Sequence, residues 1–196
     1  MKDNIITIDG PSASGKGSLA RNIAAYLDFD ILDSGLLYRV YAYLYDSGLE
    51  HSKIVAHIKK DIFFKTDLNG LTIKNGKKDI TGDLRSEKTA KAASKISSLK
   101  ETRSNLLELQ RDFYSSKGLV ADGRDMGTVV FPNAKLKIFL IASPEVRAKR
   151  RYLELQNRGQ EVNMLALIDD IKQRDLKDQT RVLSPLIPAE DSVVID

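Results

Sequence analysis

The chain has 196 residues, 42% hydrophobic and 30% charged, with 31 basic residues against 27 acidic ones for a net charge of +4. That suits one soluble, ordinary domain with room for a small insertion, and the mild positive excess fits an enzyme of phosphorylated substrates as well as a weak nucleic-acid binder. The absence of cysteine excludes disulfides and thiolate metal sites, and His51 and His57 are poorly spaced as ligands.

In chain order, Ile5-Ile6-Thr7-Ile8 is a β-branched run that reads as a strand. It ends at a glycine-rich turn, Gly10 to Gly15, and the Ala-, Leu- and Ile-rich segment Ser18 to Leu27 reads as a helix. Phe29 to Leu32 is a second short strand, and Ser34 stands where an N-cap would, before a Tyr- and Leu-rich helix from about Leu36 to Tyr45. Phe63 to Thr66, Leu71 to Lys74 and Lys77 to Thr81, with Asn75-Gly76 between the last two, read as a small antiparallel meander. Leu119 to Ala121, Leu136 to Ile141 and Ser192 to Ile195 are further strands, separated by long helical stretches. Strands alternating with helices imply an α/β fold, a parallel sheet with helices on both faces.

Gly10-Pro11-Ser12-Ala13-Ser14-Gly15-Lys16 matches the G-x-x-x-x-G-K core of a P-loop, with a strand before it and a helix after it. Glycines let the backbone wrap a phosphate, N–H groups and the helix N-terminus point at the anion, and Lys16 adds a mobile charge. The general motif places Ser or Thr next, to hold Mg²⁺, but here Gly17 intervenes before Ser18. Contact with a phosphate is therefore the expected role of Ser18. Asp33 and Asp122, each after an apolar run, are the candidates to hold metal charge through water, with helix or turn capping as the alternative.

Arg174, Asp178 and Arg181 lie at i, i+4 and i+7, one face of a helix. They read either as a solvated ion-pair face or as two guanidinium forks for phosphate flanking a carboxylate for a ribose hydroxyl. Arg39 and Arg124 each follow a strand end, where open α/β sheets bind ligands.

Four stretches together resemble the bacterial cytidylate kinases: Gly10 to Ser18; Leu32-Asp33-Ser34-Gly35 with Tyr38-Arg39; Ala121-Asp122-Gly123-Arg124-Asp125-Met126-Gly127 through Pro132; and Arg174-Asp175, Asp178 and Arg181 followed by Ser184-Pro185-Leu186. The resemblance covers nearly the whole chain in order. It implies a single P-loop kinase domain over residues 1–196, with a substrate-binding insertion at about 62–98 and a lid at about 147–163. It implies ATP-dependent phosphorylation of CMP and dCMP, with Mg²⁺ accompanying ATP, which is bound by Gly10, Pro11, Ser12, Ala13, Ser14, Gly15, Lys16, Gly17 and Ser18. Ser34, Arg39, Ser94, Arg103, Arg124, Asp125, Arg174, Asp178 and Arg181 are the expected CMP contacts. Of these, Arg39, Arg124, Arg174 and Arg181 surround the phosphate, while Ser94, Arg103 and Asp125 meet the base. Cytosine offers an N4 donor and an N3 acceptor, which a carboxylate and a guanidinium match.

Arg147, Arg150 and Arg151 share a helix face in the lid, with Arg158 beyond. They read as a solvated basic face or as charge neutralisers for the transferred phosphoryl group. Lys16, Arg150, Arg174 and Arg181 are the expected catalytic residues. Family members usually continue into another helix after the last strand, whereas this sequence ends at Asp196; loss of such a helix exposes apolar surface without touching the catalytic groups.

The rival readings are a kinase of shikimate, dephospho-coenzyme A or adenylate, or a P-loop switch or nucleic-acid ATPase. The Asp122 to Met126 block and the meander oppose the first group. The mild charge and 7% aromatic content oppose the second. No apolar run approaches the roughly 20 residues that span a bilayer, and Met1 to Asp9 is too short and too acidic for a signal peptide. The expectation is a cytoplasmic monomer that engages small nucleotides, neither nucleic acid nor membrane. Replacing Lys16 with Ala is expected to collapse turnover while the folded state persists. Near-normal turnover in that variant would remove the P-loop reading.

Overall fold

A computed structural model describes residues 4–67, 70–157 and 159–196. Its elements are, in order, β1 (Ile5–Asp9), α1 (Lys16–Leu27), β2 (Asp30–Asp33), α2 (Ser34–Asp46), α3 (His51–Asp61), β3 (Ile62–Asp67), β4 (Gly70–Asn75), β5 (Lys78–Asp79), α4 (Thr81–Arg85), α5 (Glu87–Ile96), α6 (Lys100–Arg111) and β6 (Leu119–Gly123). A π-helix, Met126–Val130, follows, then β7 (Leu136–Leu140), α7 (Pro144–Gln156), α8 (Met164–Thr180) and β8 (Val193–Ile195). The chain forms two compact units, Met1–Asp33 with Arg111–Asp196, and Ser34–Gln110.

The first unit carries a five-stranded sheet in the order β2-β6-β1-β7-β8, every pairing parallel. β6 is buried along its whole length, and Asp9 at the end of β1 is buried with it. Such strands need continuous apolar character, which Ile5, Ile8, Leu119, Val120 and Ala121 supply. α1 meets the sheet through Ala20 and Ala24, packed with Ile8, Val120 and Ile138. Two alanines at i and i+4 let the helix axis approach the strands closely, which fixes where its N-terminus ends up. β8 is an edge strand paired with β7, and its Val193, Val194 and Ile195 are 52%, 53% and 40% exposed.

Helix starts follow local chemistry where it is available. Ser143 caps α7 by accepting from Val146 N–H at 3.3 Å with Pro144 in the first turn, and Asn163 caps α8 by accepting from Leu165 and Ala166. Ser34 does not cap its helix. α2 starts at Ser34 itself, because β2 runs into it without a linker, and the buried hydroxyl donates to Gln110 Oε1 at 2.7 Å.

In the second unit α2 buries Leu37, Tyr38, Val40, Tyr41, Ala42 and Leu44, residues that cover a broad arc of its circumference, wider than the single stripe of a surface helix. The meander is a three-stranded antiparallel sheet, β3-β4-β5. Asn75 pairs with Lys78, so the two-residue loop is Gly76-Lys77, with Gly76 at φ +55°. Glycine comes first in the loop, and Asn75 is the last ladder residue. His51 is occupied within this unit, its Nδ1 2.7 Å from the Tyr41 hydroxyl and its ring stacked on Tyr45.

Gly118, the residue before β6, is at φ +110°, and a Cβ there would lie 2.7 Å from the Phe29 ring. Its carbonyl accepts from Asp30 N–H at 3.0 Å, which aligns β2 with β6. Gly118→Ala is expected to cost about 1–3 kcal/mol through backbone strain and ring displacement. Urea unfolding with an unchanged midpoint would refute this account of the β2–β6 junction.

Candidate active site

Gly10 leaves β1 at φ +150°, and a Cβ there would lie 2.1 Å from the Leu140 carbonyl oxygen. The loop therefore runs against the end of β7 with no space for a side chain. Gly15, at φ +103°, is the N-cap of α1; no side chain caps that end, and no acidic residue occupies the first turn. Helix starts leave N–H donors without intrahelical partners. Ser18 N–H donates to the Gly15 carbonyl at 3.1 Å, while the N–H groups of Lys16 and Gly17 precede it at the positive end of the helix dipole, which suits an anion.

The loop carbonyls are held by α7. Arg150 Nη1 donates to the Ser14 carbonyl at 2.6 Å. Arg147 is buried, donates to the carbonyls of Ala142 at 2.8 Å and Ser12 at 3.3 Å, and forks onto Asp175 of α8 at 2.9 and 2.5 Å. Arg151 instead pairs with Glu154 at 2.6 Å. Of the three arginines on one helix face, two reach the phosphate loop, and Arg158 lies outside the described residues.

Lys16 is buried and its Nζ donates to the Pro11 carbonyl at 3.1 Å, arching over the loop. Burial lowers its pKa to about 8, against the opposing pull of Asp122. Asp122, also buried, has its pKa raised to about 7, first by burial and then by Asp33, while Lys16 and Arg124 act against the rise. Asp33 and Asp122 are register partners at the ends of β2 and β6. A Cβ on Gly17 would come within 3.1 Å of Asp122 Oδ2. That contact is tighter than an ordinary one, so the carboxylate would have to give slightly for the Ser or Thr of the general motif, and Gly17 spares it that shift.

Arg124, just past β6, donates through Nε to Asp178 Oδ2 at 2.5 Å, and Arg181 Nη1 is 3.7 Å from Asp178 Oδ1. Burial favours the neutral acid at Asp178, yet the Arg124 charge, its hydrogen bond, Arg174 and Arg181 bring the pKa below the usual carboxylate range. Arg174 also bears on Lys16. Arg174 and Asp178 share α8 as the spacing predicts, but Arg181 does not continue the helix. It is the C-cap, at φ −63° and ψ 139°, and its Nε donates to the Ser184 carbonyl. The helix stops because the chain turns back at Ser184 (φ +50°) ahead of Pro185, and Leu186 N–H donates to the Asp178 carbonyl at 2.8 Å. Lys16, Arg124, Arg174 and Arg181 thus gather around Asp122 and Asp178 at the carboxyl edge of the parallel sheet. Asp125 is buried beside them.

The remaining expected contacts belong to the second unit. Arg39, on α2, donates to the Leu84 carbonyl at 2.8 Å. Arg103, on α6, donates to the Ser97 carbonyl at 2.7 Å with its guanidinium 5.8 Å from the Tyr38 ring centre. Ser94 is half-buried on α5, and Ser34 is buried against Gln110.

Residues 6–196 match the family model for cytidylate kinase. The chain belongs to the cytidylate kinase family. A cytidylate kinase of Mannheimia succiniciproducens is 44% identical over 202 residues, spanning all of this chain and 89% of that one. Those of Shewanella denitrificans and Stutzerimonas stutzeri are 46% and 45% identical, each over 98% of this chain and 88% and 87% of theirs. The solved structure of TT1252 from Thermus thermophilus gives a TM-score of 0.44 at 12% identity over 94% of this chain and 87% of that one, too slight a likeness to bear on the argument.

One group in this cytidylate kinase family member escaped the sequence reading. Asp9, the last residue of β1, accepts from Met126 N–H at 2.9 Å through Oδ1 and from Gly127 N–H at 2.8 Å through Oδ2. The available signal was an acidic residue ending an apolar strand directly before the loop glycine. Burial raises its pKa to about 6, despite those two hydrogen bonds and Lys16, with Asp125 adding to the rise. Between the ordinary value of 3.8 and about 6, the folded state binds the proton more tightly than the unfolded state. Stability from this group is therefore present at low pH and lost as pH rises through about 6. Asp9→Asn is expected to flatten the fall in stability between pH 4 and 6, leaving the part due to Asp122. Denaturant midpoints across that range check it, and identical slopes in the two proteins would contradict it.

Proposed function

We propose that the protein transfers the ATP γ-phosphoryl group to CMP or dCMP, giving the corresponding diphosphate and ADP. The observation that carries this reading is the gathering of Lys16, Arg124, Arg174 and Arg181 around Asp122 and Asp178 beside an uncapped α1. A cluster with that excess of positive charge suits two phosphorylated ligands that must be brought together. A CMP phosphate oxygen attacks the γ-phosphorus in line, a new P–O bond forms, and the bond to the β–γ bridging oxygen breaks. The acceptor is already anionic near neutral pH, so positioning and charge neutralisation supply the catalysis and no strong base is required.

Gly10, Pro11, Ser12, Ala13, Ser14, Gly15, Gly17 and Ser18 would cradle the ATP phosphates, with Lys16 following the transferred group. Arg150, already on the Ser14 carbonyl, is the lid arginine we assign to that group, within a lid at about 147–163. Arg124, Arg174 and Arg181, with Arg39, would grip the CMP phosphate, while Asp178 would meet the ribose. Ser34, Ser94 and Arg103 complete the acceptor set on the unit that holds the insertion at about 62–98. Asp122 has a buried Oδ1 with no hydrogen-bond partner, and Asp33 is its register neighbour, a pair that fits a hydrated Mg²⁺. That ion supplies charge neutralisation on the phosphates. Every group invoked lies on one chain, which is consistent with a monomer. No described helix is long and apolar enough to cross a membrane, and we assign the protein to the cytoplasm.

Asp125 would read the cytosine N4 amino group, since an ionised carboxylate accepts hydrogen bonds and repels the O4 of uracil. A coupled assay across nucleoside monophosphates is expected to give the highest kcat/KM for CMP and dCMP. A preference for AMP, or no acceptor at all, would overturn the function. A good base-edge contact is worth ~1–3 kcal/mol, so Asp125→Asn is expected to narrow the CMP-over-UMP preference by ~10–100-fold. An unchanged ratio would reject base reading by Asp125 while leaving the reaction itself in place.

A further inference from the structure

β4 is six residues long and β5 only two, with Lys78 and Asp79 paired to Asn75 and Lys74. One more bond extends that ladder, from Ile80 N–H to the Ile73 carbonyl at 2.9 Å. In an antiparallel ladder the reciprocal bond would run from Ile73 N–H to the Ile80 carbonyl. That carbonyl instead accepts from Leu84 N–H at 3.0 Å, because Ile80 is the N-cap of α4. A side chain takes the place it gives up. Ile73 N–H donates to the Thr81 hydroxyl at 2.8 Å, and the same hydroxyl lies 3.4 Å from the Ile73 carbonyl. Thr81 is the first residue of α4, and its own N–H donates to Asp79 Oδ1 at 2.8 Å.

α4 has five residues, too few for a helix to stand by itself, so its position depends on what holds its two ends. Thr81 fixes the first end to β4, where Ile73 is buried and in register with Phe64 of β3. At the other end the last carbonyls lack intrahelical partners. The Asp83 carbonyl accepts from the hydroxyls of Ser86 and Thr89, each at 2.7 Å. The Leu84 carbonyl accepts from Arg39 Nη1 of α2 at 2.8 Å. A guanidinium is a rigid plane, so a bond to a fixed carbonyl orients the whole group. Thr81 and Arg39 thus meet the same short helix, one at its start and one at its finish.

We infer that Thr81 is a positioning residue for the acceptor phosphate: its hydroxyl fixes α4 to the antiparallel sheet, and α4 holds the Arg39 guanidinium through the Leu84 carbonyl. This rests on the assignment of Arg39 to the CMP phosphate given above. It gives β3, β4 and β5 a task in acceptor binding although none of their residues is among the CMP contacts. Val in place of Thr81 keeps the branched shape but offers the Ile73 N–H no acceptor, whereas Ser keeps the hydroxyl. With its start released, α4 shifts and carries the Leu84 carbonyl with it. A misplacement of about 1 Å costs up to ~100-fold. The effect belongs on CMP. Thr81, α4 and Arg39 lie in the unit Ser34–Gln110, and the charges that act most on Lys16 are Asp122, Arg124, Asp33 and Arg174.

The test compares Thr81→Val, Thr81→Ser, Arg39→Ala and the Thr81→Val, Arg39→Ala double variant with the unaltered enzyme, measuring KM for CMP and for ATP. Thr81→Val is expected to raise the CMP KM ~10-fold or more and to keep the ATP KM within about twofold, while Thr81→Ser stays within about threefold for CMP. In the Arg39→Ala background, Thr81→Val is expected to add less than about twofold, since a residue acting through Arg39 has nothing left to position. Additive effects of the two substitutions overturn the inference. So does a Thr81→Ser variant as impaired as Thr81→Val, or a rise in ATP KM that matches the rise for CMP. If Arg39→Ala raises the CMP KM and Thr81→Val does not, the inference falls and the assignment of Arg39 stands. If Arg39→Ala leaves the CMP KM unchanged, that assignment is rejected and the inference falls with it. Should Thr81→Val fail to fold, the unaltered enzyme gives an independent reading. Binding that draws on a held Arg39 must strengthen that hold in return. Amide exchange at Ile73 is therefore expected to slow ~10-fold or more with CMP and less with cytidine, which lacks the phosphate. Exchange that CMP leaves unchanged, or that cytidine slows equally, overturns the inference.

Discussion

Lys16 and Asp122 are both buried where water cannot solvate either charge well, and much of the site follows from that. Burial alone drives the lysine toward its free base and the aspartate toward its acid, while their mutual attraction resists both changes. Burial thus draws the lysine below and the aspartate above their ordinary ranges, and each charge pulls the other back. The carboxylate crowds the position of Gly17, where a Cβ would meet it at 3.1 Å. A phosphate loop with a hydroxyl directly after its lysine would press on the Asp122 carboxylate, which would have to give by a few tenths of an ångström.

The arginine network relates to that pair in a different way. Arg124 and Arg181 hold Asp178 between them, so each guanidinium is already oriented and desolvated. Preorganised charge of this kind loses little when a ligand arrives, which is where enzymes acting on phosphates obtain most of their transition-state stabilisation. Arg147 performs a quieter task. It is fully engaged by Asp175 and two carbonyls, so its charge tethers α7 and α8 to the phosphate loop.

Much of the fold was legible in the sequence because its signals are local. The β-branched run before Gly10, the two loop glycines and the following alanine-rich segment specify strand, turn and helix within a few residues of one another. The five parallel strands and the meander were likewise legible from short apolar runs and one glycine turn. What sequence could not show were the partners that only the tertiary fold supplies. Asp9 bonds to Met126, 117 residues away, so no window on the chain contains both. Ser34 has the residue type of a cap, but Gln110, from the end of α6, claims its hydroxyl. Arg181 sits at the right helical spacing, but the turn at Ser184 ends the helix one residue earlier. The spacing of Arg147, Arg150 and Arg151 placed them on one face without revealing that Arg147 is buried and Arg151 is spent on Glu154.

The strand order also governs how the molecule can assemble in time. β1 and β2 are not neighbours; β6 lies between them and pairs with both, Ile5 opposite Leu119 and Asp30 opposite Leu119. During synthesis the first two strands therefore emerge long before the strand that joins them. The segment from Ser34 to Gln110 makes its own internal contacts and can collapse in the interval. Non-local parallel pairing is intrinsically slow, since the chain must close a long loop before the ladder rewards it. A compact unit in between shortens the distance that loop has to search. The same unit that separates β2 from β6 in sequence thus helps to bring them together in the nascent chain.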